Sequence, residues 1–230
     1  MAQKAVAFTL AETLLVMGII GVVSALTLPN LNSSTSDKEK VAKVKKFYQN
    51  ITEAMGRAEA AYGPFGTWCP GNSCTNANRV KRIGDRLTEF MKVQKNCGNS
   101  GSVACYNTTA SGTDQLYEFI TADGMSVRII WDELIYLDID GPQKGPNTNG
   151  KDRFVFACSY NNGDITPMGQ SLVLSATQIG EFFNTSCNKN GGMYCTGWVI
   201  VNGNMDYLKV GTDGKCPNGT QLSTTVTSCK

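Results

Sequence analysis

Three carboxylates, Asp138, Asp140 and Asp152, share a fifteen-residue stretch with Gly141, Pro142, Gly145, Pro146, Asn147 and Gly150. Calcium takes about six to eight hard oxygen ligands, which carboxylates and loop carbonyls supply, while glycines let the backbone curl around the ion. The same residue types also make ordinary turns between strands. Two expectations therefore stand together: a calcium loop on Asp138, Asp140 and Asp152, or a plain connection. No cofactor is required. Nine cysteines offer a second chemistry, and all lie after residue 68. Disulfides of an exported chain suit them better than zinc, because no histidine completes a mixed site. Close spacing suggests the pairs Cys69 with Cys74, Cys97 with Cys105, Cys187 with Cys195 and Cys216 with Cys229, although spacing alone does not fix connectivity. Cys158, in the apolar run Phe154-Val155-Phe156-Ala157, is left over as a free, buried thiol.

The absence of histidine removes Ser-His and Cys-His nucleophile pairs, and no glycine-rich phosphate loop precedes a helix. The chain is not expected to be an enzyme. Its formal net charge of +2 gives no reason to expect a nucleic-acid partner, and Lys43, Lys45 and Lys46 read as a solvated helix face. Tyr194, Trp198 and Tyr207 would form a sugar or peptide platform if exposed, with core packing the better reading of Trp198.

A fourth carboxylate stands out by its surroundings. Glu12 is the single acid of residues 8–28, a 21-residue apolar run that spans about 32 Å as helix, close to the hydrocarbon thickness of a bilayer. A charge in such an environment costs on the order of 2.5 to 3.5 kcal/mol at a helix centre, so Glu12 demands a neutralising partner.

Phe8-Thr9-Leu10-Ala11-Glu12 resembles the start of a mature type IV pilin or type II secretion pseudopilin. Counting Phe8 as first, Glu12 falls fifth, Gly21 fourteenth and Pro29 twenty-second, positions where that family carries Glu, Gly and Pro. The resemblance implies a leader of residues 1–7, cut between Ala7 and Phe8 by a prepilin peptidase, and methylation of the freed Phe8 amino group. One departure is that the family usually has Gly before the cut, where this chain has Ala7. The resemblance further implies a single-pass helix in the inner membrane over residues 8–28, with a cytoplasmic N-terminus and membrane lipid around it. An inner-membrane assembly platform would then extract the subunit into a helical filament of itself or related pilins, periplasmic or at the cell surface. In that filament Glu12 would meet the Phe8 amino group of a neighbour, and the stretch from Gly21 to Pro29 would loosen. A nucleic-acid partner would enter only if the filament were a DNA-uptake pilus.

Two observations point elsewhere. Lys38, Lys40, Lys43, Lys45 and Lys46 follow the span while Lys4 alone precedes it, which opposes the positive-inside rule. Val23-Ser24-Ala25 would serve a signal peptidase, although the run is longer than a signal peptide's apolar core and contains an acid.

The elements that must position these residues follow from periodicity. Val41, Val44, Phe47, Tyr48, Ile51, Ala54, Met55, Ala58 and Tyr62 recur at helical spacing, and Gly63-Pro64 ends the run. Residues 8–62 are thus expected as an N-terminal helix, with 8–28 transmembrane or in the filament core and 29–62 amphipathic beyond a polar stretch at 30–36. Residues 78–97 read as a second helix. Strands are expected at 116–121, 125–131, 134–138, 153–158 and 197–202, with Ala122-Asp123-Gly124 as a hairpin turn. The expected fold class is α+β, a long helical stalk packed on a disulfide-stapled antiparallel head over residues 63–230. The function expected is a structural filament subunit, with an adhesive minor pilin or membrane-stalked binding module as the alternative.

Overall fold

The computed structural model describes residues 10–69, 74–99, 104–107, 115–130, 134–159, 162–174 and 182–229. Helix α1 (Leu10–Tyr62) runs for 53 residues without interruption and includes the polar stretch after Pro29. The chain divides at Glu39 and Lys40 into two compact units.

In the second unit, Val41, Val44, Phe47, Ile51, Ala54, Met55 and Ala58 form the buried stripe of α1. They pack on a six-stranded antiparallel meander in chain order. Its strands are β1 (Val93–Gly98), β2 (Leu116–Thr121), β3 (Ser126–Ile130), β4 (Leu134–Asp138), β5 (Arg153–Cys158) and β6 (Ile165–Pro167). Phe47 and Tyr48 both meet the Phe156 ring at 5.6 Å between centroids, Tyr48 nearly parallel to it. Helix α2 (Asn76–Phe90) starts at Thr75, whose side chain accepts from Asn78 N at 3.3 Å. It buries Val80, Ile83 and Leu87, and Gly84 sits so close to Tyr117 that an added methyl would fall on the ring.

Side chains alternate across the pleat, so the register sorts the sheet into two faces. Tyr117, Phe119, Val127, Ile129, Ile135, Leu137, Phe154 and Phe156 share the apolar face, all buried. Glu118, Arg128, Tyr136, Asp138 and Arg153 occupy the other.

Several expectations are corrected. Residues 93–98 are not the end of the second helix: Met91 is extended, and the polar run that follows pairs with β2 as the sheet's edge. Residues 197–202 lie in a helix, α4 (Cys195–Asn202), after the short helix α3 (Gln170–Leu174). An apolar run this short has no decisive period. Gly197 decides the packing, because a side chain there would strike the backbone of Gly169 and Gln170.

The transmembrane half of the expected stalk is also corrected. Among the described residues no helix is long and apolar enough to cross a membrane, so neither that part of the fold nor a single-pass inner-membrane location stands.

Candidate functional site

In the first unit, Leu10, Leu14, Leu15, Val16, Met17, Ile19, Ile20 and Val22 are each more than half exposed. Successive residues of a helix turn by about 100°, so Leu14 through Met17 alone present apolar surface nearly all the way round. A helix apolar on every side needs cover on every side. At Gly18 and Gly21 an added methyl would meet nothing within 4 Å, so no neighbour among the described residues requires a glycine at either place. Gly18 lies among Leu14, Leu15, Ile19 and Val22 on one side of the helix. Ala7 and Phe8 lie outside the described residues, as do the side chains of Glu12 and Pro29, whose backbones belong to α1.

In the second unit the polar face of the sheet holds two ion pairs. Glu118 and Arg128 are cross-strand partners, with Arg128 Nε 2.6 Å from Glu118 Oε1. Asp138 and Arg153 are partners as well, Arg153 Nε donating to Asp138 Oδ2 at 3.0 Å. Both carboxylates are fully buried. Tyr106 lies between the two cations, Arg128 Cζ 4.4 Å and Arg153 Cζ 4.5 Å from its ring centroid, within the range of cation–π attraction. Burial pushes its phenol well above the ordinary range, and its hydroxyl has no hydrogen-bond partner among the described residues. The two guanidiniums and Tyr106 line an open cavity of about 720 Å³, with Tyr136, Asn147, Thr148, Asn149 and Asn190 around it.

The acidic loop is organised by hydrogen bonds from the protein itself. Asp152 accepts from Asn147 N at 2.5 Å and Thr148 N at 2.6 Å, while Asp138 Oδ1 accepts from Gly141 N at 3.2 Å. Burial raises the Asp138 carboxyl to about 7 against the pull of Arg153, and a hydrogen bond with the Asp140 side chain raises it further. Asp138 and Asp152 are thus engaged with amides and a guanidinium, whereas Asp140 Oδ1 is buried without a hydrogen-bond partner among the described residues. Among the described residues no group of three or more His, Cys, Asp or Glu is placed to hold a metal ion.

Disulfides join Cys69 to Cys74, Cys97 to Cys105, Cys187 to Cys195 and Cys216 to Cys229, and Cys158 is buried and outside these four pairs. Trp198 and Tyr207 belong to the core rather than to a surface platform. Trp198 stacks with Phe182, and Tyr207 donates to Gly150 O at 2.6 Å.

Glu118, Arg128, Arg153 and Tyr106 are not among the site residues expected from the sequence. A signal for the first two was present: they stand five residues either side of Asp123, the centre of the hairpin turn, which sets them opposite one another. Nothing comparable marks Tyr106, whose place depends on contacts distant in the chain.

These features define an α+β protein with a six-stranded antiparallel meander, an apolar helical segment and a separate polar cavity. No protein-family model, no curated protein and no solved structure matches the chain.

Proposed function

We propose that this chain is a structural subunit of a type IV pilus-like or type II secretion pseudopilus-like filament, cut before Phe8 and polymerised through the N-terminal part of α1. The observation that supports it is the apolar surface of residues 10–22, exposed around the helix. Burying one Leu, Ile, Val or Met side chain contributes roughly 1.5 to 3 kcal/mol. Eight such side chains contribute roughly 12 to 24 kcal/mol when fully covered, against an association cost of about 4 to 15 kcal/mol. Copies of the same helix, gathered on several sides, cover such a surface in a way that one partner on one face does not.

Within this reading Glu12 is neutralised by the freed amino group of Phe8 on a neighbouring subunit, which turns the cost of an enclosed charge into a paired contact and sets the axial register. Mass spectrometry of purified filaments is expected to show Phe8, methylated, as the first residue. Glu12→Ala, expressed at the same level, is expected to be lost from the filament fraction. An N-terminus at Leu26, or incorporation of Glu12→Ala as efficient as wild type, would overturn the proposal.

A further inference from the structure

We infer that the cavity on the polar face of the sheet binds an acidic saccharide, a sugar chain bearing carboxylates. The site lies wholly in the second unit and stands independently of polymerisation.

The ion pairs are oriented. Glu118 and Asp138 are fully buried, and Arg128 and Arg153, 8% and 6% exposed, line the cavity, so the positive end of each pair is the end that reaches it. Among the described residues no carboxylate lines it. A guanidinium presents its donors as a planar fork that matches a carboxylate, and here the two cations are held in place by the Tyr106 ring between them. Arg153 is fixed further by Nη2, which donates to Asn147 Oδ1 at 2.8 Å and Asn107 O at 3.3 Å. Such preorganisation lowers the entropy lost when an anion docks. Stability alone gives no reason for two ion pairs inside a sheet, since apolar residues of similar volume often serve as well or better.

The remaining wall identifies the rest of the ligand. Asn149 and Asn190 bring amides and Thr148 and Tyr136 bring hydroxyls, while Ile130 is the one aliphatic side chain among the described lining residues. Amides and hydroxyls complement a ring of sugar hydroxyls. The volume of about 720 Å³ lies within the range of about 300 to 1,000 Å³ usual for small-ligand sites.

Calorimetric titration of the purified full-length protein tests this with trigalacturonate, neutral maltotriose and succinate. Arg153→Gln would strand Asp138 and risk unfolding, so the informative variant is Asn190→Asp. Asn190 is exposed at the rim, and its substitution leaves both ion pairs intact. Trigalacturonate is expected to bind saturably, and Asn190→Asp to weaken it about tenfold through repulsion, less so at high salt. Maltotriose is expected to give no saturable heat. Equal binding of maltotriose would remove the role of the guanidiniums. Succinate binding as tightly as trigalacturonate would remove the sugar. No heat with any probe would end the proposal.

Discussion

Asp138 is held between opposing influences. Its carboxyl is buried, which favours the neutral form, while Arg153 favours the charged one, and the outcome is a value raised from 3.8 to about 7. A folded-state value above the unfolded one means that the native protein keeps a proton the unfolded chain has released. The associated stabilisation is complete below about pH 4 and is lost as pH rises through about 7. Urea midpoints of the wild type are therefore expected to fall as pH is raised from 5 to 8, and Asp138→Asn, which cannot titrate, is expected to flatten that slope whatever its absolute cost. Parallel slopes in the two proteins would show that another group sets the dependence. Asp138 also illustrates what residue types convey and what they omit. Its acidity and its place beside Gly141 are legible as loop chemistry, but the same features suit a metal ligand and a buried partner of Arg153. The choice depends on strand register, which pairs Asp138 with Arg153 across β4 and β5.

At the scale of elements, α1 is one helix serving two environments. From Val41 to Ala58 its apolar residues recur on one stripe that the sheet covers, whereas before residue 23 they circle the helix uncovered. Gly18 belongs to the uncovered part. A glycine in a helix interior costs about 1 kcal/mol relative to alanine, and at Gly18 nothing among the described residues calls for it. Close approach by another helix would. Gly18→Leu is expected to leave the circular dichroism and the melting of the second unit unchanged while reducing filament assembly at least tenfold, about 1.4 kcal/mol or more per contact, with Gly18→Ala intermediate. Normal assembly by Gly18→Leu in sedimentation would separate this face from polymerisation. The other elements were legible to the degree that burial imposed a period on them. β2, β4 and β5 carry mostly buried residues bounded by turn signals, and their limits follow from that. β1 is an exposed edge with Lys95 in its middle, so pairing rather than apolar pattern makes it a strand. α4 is a helix because Gly197 lets it lie close against α3, a fact of contact and not of composition.

For the whole molecule, the four disulfides divide the labour of stability unevenly between the two units, since every one lies after residue 68. They join cysteines 5, 8, 8 and 13 residues apart. In the chain-entropy account, loops of this size each limit the unfolded chain by roughly 2 to 3 kcal/mol. Four together amount to about 10 kcal/mol, comparable with the 5 to 15 kcal/mol of net stability usual for a domain. Reduction is therefore expected to abolish the cooperative melting of the second unit, whereas helical signal from α1 before Glu39, which contains no cysteine, is expected to persist in assembled filaments. Replacing Cys216 and Cys229 together by serine isolates the longest of the four loops, and is expected to cost about 3 kcal/mol in urea titration. Unchanged melting under full reduction, verified by thiol counting, would mean that the apolar face of the sheet and the α1 stripe suffice. The disulfides would then have another purpose, such as holding Tyr106, next to Cys105, against its two arginines.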